Sequence, residues 1–312
     1  MTRHFLDIDD LRADELEELL DLASAYKEKR KEGVPHPDLE RRTLGMLFQK
    51  PSTRTRVSFE TGMTQLGGHA IFLGADDIQL GRGEPLKDTA RTLSRYVDAV
   101  VARVFSHENV EELARYATVP VVNGLTDDAH PCQTLADLLT IREHVDEGGS
   151  NGGSSNPFDG VSAAWVGDGN NVAQSFALGC GLAGIDLTIA TPPGYGIDED
   201  VLERADELGV APTVTDDPAA AVEGVDVVYT DVWISMGQED ERDLRMDDFA
   251  GFRIDEELLA NAPDAAVMHC LPAHRGEEIS EEVLEGERSL VFDQAENRLH
   301  AQKGLLAWLL ER

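Results

Sequence analysis

Residues 43–60 read Thr-Leu-Gly-Met-Leu-Phe-Gln-Lys-Pro-Ser-Thr-Arg-Thr-Arg-Val-Ser-Phe-Glu. The apolar run Thr43–Phe48 predicts a strand. After Pro51 the spacing of Val57, Phe59, Met63 and Leu66 predicts a helix over 52–66, with Pro51 in its first turn. Three hydroxyls and two guanidinium groups (Ser52, Thr53, Thr55, Arg54, Arg56) therefore gather at a helix N-terminus. Unpaired backbone N–H groups and the positive end of the helix dipole make that place an anion site. The planar arginine fork suits phosphate. A strand feeding a helix through an anion-binding turn is the unit of a parallel α/β sheet.

Working outward, short apolar runs alternate with helical stretches. The runs lie at 44–48, 70–73, 99–104 and 119–122, and the helices near 52–66, 86–96, 110–116 and 132–145, after an opening amphipathic helix over 10–31. Residues 146–157 are Gly/Ser/Asn-rich and read as a flexible loop. A second series follows, with runs at 161–166, 187–190, 225–230, 265–268 and 290–292, then a last helix over about 295–310. The alternation predicts two parallel sheets flanked by helices.

The chain has 312 residues, room for two domains of ordinary size. No run of about 18 apolar residues predicts a membrane span, and residues 1–7 lack the apolar core of a signal peptide. Cys132, Cys180 and Cys270 form no CxxC and leave an odd count, so a reduced, cytoplasmic protein is expected. Sixty acids face 27 bases, of which six are Lys, for a formal net charge of −33. The acids are scattered rather than gathered in one tail. This composition resembles that of proteins from salt-accumulating halophiles, whose self-repulsion is screened at high salt. Without a basic face, nucleic acid and anionic membranes are not expected as partners.

Further candidate positions follow predicted strands, where α/β sheets bind ligands. Gly167-Asp168-Gly169-Asn170-Asn171 lacks the third glycine of a dinucleotide fingerprint, because Val172 stands there. It reads as a tight turn that offers Asn side chains. His130-Pro131-Cys132-Gln133 opens a helix, and His130 is read either as a loop residue or as a donor to a carbonyl. Asp231, in Asp231-Val232-Trp233-Ile234-Ser235-Met236-Gly237, either holds a cation or caps a helix. Cys270, in His269-Cys270-Leu271-Pro272, is open to three readings: nucleophile, metal ligand or hydrogen-bonding group. Gln79 and Arg82 lie in a Gly-rich loop, Arg103 ends a strand, and Arg298 stands near the start of the last helix. With Arg54 and Arg56, these arginines suggest several cations converging on one anion.

In this order the motifs resemble the carbamoyltransferase family, and its ornithine carbamoyltransferases in particular. The Ser-Thr-Arg-Thr-Arg and His-Pro-Cys-Gln segments match the family's carbamoyl phosphate motifs. Asp231 to Gly237 and His269-Cys270-Leu271-Pro272 match its ornithine motifs. The resemblance implies a carbamoyl phosphate-binding domain over 1–146, an ornithine-binding domain over 147–294, and a C-terminal helix over 295–312 packing back on the first domain. It implies that Ser52, Thr53, Arg54, Thr55, Arg103, His130, Gln133 and Arg298 hold carbamoyl phosphate, with Gln79 supplied by a neighbouring subunit. Cys270 and Leu271 would line the place where the substrates meet. Asn171, Asp231, Ser235 and Met236 would hold ornithine, and the catalytic set would be Arg103, His130, Asp231 and Cys270. It further implies transfer of a carbamoyl group to the δ-amine of L-ornithine, giving citrulline and phosphate. No metal or organic cofactor is implied, and the assembly the resemblance implies is a homotrimer, in some relatives a dodecamer of four trimers. Two rivals stand beside it. A non-catalytic protein on this fold would be expected to carry damaged motifs. An NAD-linked dehydrogenase would rest on the 167–171 turn alone.

Overall fold

In the computed structural model, which describes residues 2–74, 83–148, 156–235 and 237–311, the chain divides into two compact units. One comprises the residues up to Leu139 together with those from Glu296 on; the other is Thr140–Ala295.

The first unit contains α1 (Ala13–Lys31), β1 (Thr43–Phe48), α2 (Thr53–Gln65), β2 (His69–Gly74), α3 (Leu86–Leu93), β3 (Ala99–Arg103), α4 (His107–Tyr116), β4 (Val121–Leu125) and the start of α5 (Pro131–Gly148). Its strands form one sheet in the order β2-β1-β3-β4, all parallel. Strands β1, β3 and β4 are buried almost throughout, as continuous apolar strands in a covered parallel sheet should be. Val97, Val100, Ala102, Val104, Val110 and Leu113 make the core under α3 and α4.

The second unit continues with β5 (Ser162–Val166), α6 (Asn171–Ala183), β6 (Asp186–Ala190), α7 (Glu199–Leu208), β7 (Thr213–Thr215), α8 (Pro218–Val222), β8 (Val227–Thr230), α9 (Arg242–Asp248), α10 (Glu256–Leu259), β9 (Ala266–His269) and α11 (Glu281–Leu284). Its sheet has the order β7-β6-β5-β8-β9, again parallel. Gly184 ends α6 in the left-handed region at φ 81°, a conformation that glycine adopts without penalty.

The last helix, α12, runs Val291–Leu310. From Glu296 on it packs within the first unit, against α1 and α2. At Gly304 the approach is so close that a Cβ would stand 2.9 Å from the carbonyl oxygen of Leu19. Lys27 donates to Asn297 at 2.8 Å, and the Trp308 indole donates to Glu18 at 3.3 Å.

Two parallel sheets flanked by helices, with the C-terminal helix on the first unit, match the expected fold class. Details differ. Residues 290–292 form no strand: Leu290 donates to the Val267 carbonyl at 2.8 Å, and the chain then turns into α12. Three apolar residues cannot distinguish a strand from the start of a buried helix. The edge strand β7, Thr-Val-Thr, carries no apolar run and was not foreseen. Helix α5 continues through Gly148, where composition predicted loop from 146 on; residues 149–155 lie outside the described residues.

Candidate active site

In both sheets the strand order reverses direction once, between β1 and β3 in the first and between β5 and β8 in the second. The carboxyl ends of strands flanking such a reversal open a crevice where ligands bind. The sequence motifs fall there.

In the first unit, Phe48 at the end of β1 pairs with Arg103 at the end of β3. Ser52 caps α2, its hydroxyl accepting from the Thr55 N–H at 3.2 Å, so Pro51 lies just outside the helix rather than in its first turn. Thr53 and Arg54 are exposed and Ser52 is half-buried. Arg298 of α12 is buried and reaches this helix start. Its Nη2 donates to Thr55 Oγ1 at 2.8 Å, and its Nη1 donates to Gln133 Oε1 at 2.6 Å and stands 3.5 Å from His130 Nε2. Gln133 in turn donates to Asp137 at 2.7 Å. Burial holds the His130 imidazole well below its ordinary pKa, and the charges of Arg298, Arg103 and Arg54 push the same way. His130 is therefore neutral at pH 7, with one N–H to donate. Three arginines from β3, α2 and α12 thus act on a single imidazole. Arg56 does not join them: it pairs with Glu60 at 2.9 Å and stacks over Phe72 at 3.9 Å. Cys132 is inert at this site, since burial pushes its thiol up to about 12 and it donates to the Asn123 carbonyl at 3.3 Å.

In the second unit, Asp231 leaves the end of β8 and Cys270 the end of β9, one residue past the paired Thr230 and His269. The Cys270 thiol donates to Asp231 Oδ1 at 3.0 Å, and Asn170 Nδ2 donates to Asp231 Oδ2 at 3.0 Å. Asn170 is held rigidly because its Oδ1 caps α6, accepting from Val172 and Ala173 at 3.0 and 3.2 Å. Asn171 is the first residue of α6, beside it. Ser235 sits in a turn closed by Gln238, whose Oε1 accepts the Ser235 N–H at 3.0 Å and whose N–H donates to the Ser235 carbonyl at 3.1 Å. Leu271 has φ 58°, a strained value for leucine, and precedes a cis peptide to Pro272. Its N–H donates to His269 Nδ1 at 2.9 Å, so His269 Nε2 carries the proton that faces Glu278 at 3.1 Å. Gln79, Arg82 and Met236 lie outside the described residues.

Sequence reasoning missed two residues that hold this second cluster. Arg245 of α9 is buried; its Nη1 donates to Asp168 Oδ2 at 3.0 Å and to the Trp233 carbonyl at 2.9 Å. It ties the Asp231–Gly237 segment to the end of β5. Burial pushes Asp168 up to about 6, against the pull of Arg245. The only signal in the sequence was Asp168 itself, placed between two glycines after a strand.

Residues 3–143 match the carbamoyl-P binding domain of aspartate/ornithine carbamoyltransferase, and residues 159–309 match its Asp/Orn binding domain. An ornithine carbamoyltransferase of Haloquadratum walsbyi is 63% identical over 307 residues, covering 98% of this chain and 97% of that protein. One from Archaeoglobus fulgidus is 53% identical, covering 99% and 97%. The solved ornithine carbamoyltransferase of Pyrococcus furiosus superposes with a TM-score of 0.92 at 50% identity, covering 99% of this chain and 97% of that one. Matched in both domains by sequence and along almost its whole length by fold, the chain belongs to the aspartate/ornithine carbamoyltransferase family.

Proposed function

We propose that the chain transfers the carbamoyl group of carbamoyl phosphate to the δ-amine of L-ornithine, giving L-citrulline and phosphate. The observation that carries the choice of acceptor is the Cys270–Asp231 contact at 3.0 Å, with Asn170 on the other carboxylate oxygen. A carboxylate and a thiol suit an amine. The two carboxylates of aspartate would instead meet Asp231 as a like charge.

In this reading Ser52, Thr53, Arg54 and Thr55 hold the phosphate at the start of α2, with Gln79 contributed by a neighbouring subunit. Arg103, His130, Gln133 and Arg298 hold phosphate and carbonyl oxygens. Thr55 accepts from Arg298, which leaves its own hydroxyl proton to donate to the carbonyl oxygen. Asn171, Asp231, Ser235 and Met236 bind ornithine, and Cys270 and Leu271 border the carbamoyl group. Free in water, the δ-amine has a pKa of about 10.4 and is mostly protonated. Asp231 and Cys270 orient it as it loses its proton. The amine nitrogen then bonds to the carbamoyl carbon, negative charge grows on the carbonyl oxygen beside Thr55, Arg103 and His130, and the carbon–oxygen bond to phosphate breaks. The first proton goes to solvent as the amine binds, and the departing phosphate takes up the second, which the nitrogen releases as the carbon–nitrogen bond forms.

The test is citrulline formation from carbamoyl phosphate and ornithine in molar potassium chloride, with aspartate, putrescine and N-acetylornithine as competing acceptors. Ornithine is expected to dominate. No citrulline at any salt concentration, or preference for another acceptor, overturns the reading. We also propose that the working unit is a cytoplasmic homotrimer, as the motif resemblance implies; a mass measurement in high salt tests the trimer.

A further inference from the structure

The loop between β9 and α11 closes a tight turn at 274–279. The Glu277 N–H donates to the His274 carbonyl at 2.9 Å, and the Gly276 N–H donates to the Ile279 carbonyl at 2.8 Å. A second connection fixes the turn from outside, where the Ile254 N–H donates to the Glu278 carbonyl at 2.9 Å. On this pinned backbone, one donor atom each from His274, Glu277 and Glu278 lie within 4.8 Å of one another. His274 is exposed, Glu277 half-buried and Glu278 fully buried.

Glu278 is the informative member. Its Oε1 accepts from His269 Nε2 at 3.1 Å and from the His274 N–H. Its Oε2 is equally buried, has no hydrogen-bond partner among the described residues, and faces His274 Nδ1 at 3.8 Å. A carboxylate oxygen taken out of water needs a compensating partner. Zinc bonds of about 2.0–2.2 Å to nitrogen and oxygen set neighbouring ligands roughly 3–4 Å apart. The gap between His274 and Glu278 already has that width. Arg242 pairs with Glu277 Oε1, the kind of outer contact that orients a metal-binding carboxylate. An imidazole with two carboxylates favours zinc, cobalt or nickel over magnesium or calcium.

We propose that His274, Glu277 and Glu278 bind one divalent transition-metal ion of the zinc class, leaving a coordination position open to water. Because Glu278 also holds the imidazole of His269, next to Cys270, the ion would clamp the loop that carries Cys270. The inference is independent of the transfer reaction. Asp231, His269 and Cys270 form a second group of possible ligands, and the test must separate the two.

The experiment titrates the full chain in molar potassium chloride with Zn²⁺ by calorimetry and with Co²⁺ by visible absorption. The expected result is one ion per chain, with cobalt bands of nitrogen and oxygen ligation and no thiolate-to-cobalt charge transfer. His274→Ala and Glu277→Gln, both at the accessible side of the turn and checked for folding by circular dichroism, are each expected to weaken binding about tenfold or more. Absence of binding, or affinity unchanged in either variant, overturns the proposal. So does a thiolate band that disappears in Cys270→Ser, which would assign the ion to the other group.

Discussion

Arg298 touches Thr55 and Gln133 directly and stands 3.5 Å from His130, so one side chain orients the donors of the first cluster and adds its charge to the burial that keeps His130 neutral. Replacing it with Met should reduce kcat/KM by about 100- to 1000-fold, the usual cost of a lost preorganised donor. It should also move the His130 titration. Burial is the main cause of the low pKa and survives the change, whereas the Arg298 charge, the largest of the cationic causes, does not. The imidazole should therefore titrate higher in Arg298→Met than in wild type, yet still below 6.5. Carbon-bound imidazole resonances followed by NMR against pH check this, and an unmoved midpoint contradicts it. The chemical types of the site residues were legible one by one in the sequence. Their partnerships were not. Thr55 and Arg298 are separated by 243 positions, and Asp231 and Cys270 by 39, with nothing local to join them. Arg56 shows the converse: its neighbour in sequence, Arg54, acts on His130, while Arg56 itself turns aside to Glu60 and Phe72.

At the scale of elements, α12 brings a lysine into the first unit's interior. Lys303 is fully buried and donates to the Tyr26 carbonyl, His36 Nε2 and Gln65 Oε1 at 3.3, 3.3 and 3.0 Å. Burial pulls its pKa down to about 8, with the Arg30 charge adding to it. A group whose folded pKa lies below its unfolded value favours the fold fully above the unfolded value, and that contribution is lost as pH falls through the folded one. The stability of wild type relative to Lys303→Met should thus rise between pH 8 and 10.5, by about 3 kcal/mol at 1.36 kcal/mol per pKa unit. Denaturant unfolding of both proteins across that window checks it; a flat difference counts against it. The element types were largely readable, because fully buried parallel strands give unbroken apolar runs and the helices between them keep a 3.6-residue period. What escaped was an exposed three-residue edge strand, β7, and the start of α12, where Leu-Val-Phe carries too little pattern to decide between periods.

For the whole chain the dominant quantity is the charge of −33. The acids of α1 (Asp14, Glu17, Glu18, Asp21) and those before and at the start of α7 (Asp198, Glu199, Asp200) lie exposed. Several bases are withdrawn from the surface and do not offset them there: Arg298, Arg245 and Lys303 are all buried. Self-repulsion among exposed carboxylates reaches across about 10 Å at 0.1 M salt but only about 3 Å at 1 M. The same field repels carbamoyl phosphate, itself an anion, so the arginines around His130 must supply the local attraction while salt removes the opposing background. Two outcomes follow as potassium chloride is lowered below about 1 M, where the Debye length exceeds about 3 Å. Folding stability should fall, and the KM for carbamoyl phosphate should rise before the fold is lost, since the substrate feels the unscreened field while the site is still intact. Unfolding midpoints and steady-state kinetics over a salt series measure both. Full activity and an unchanged KM after dialysis into dilute buffer would show that the acidic surface imposes no such demand. Stability that fell with a constant KM would confine the charge effect to folding and leave the substrate's approach governed by the arginine cluster alone.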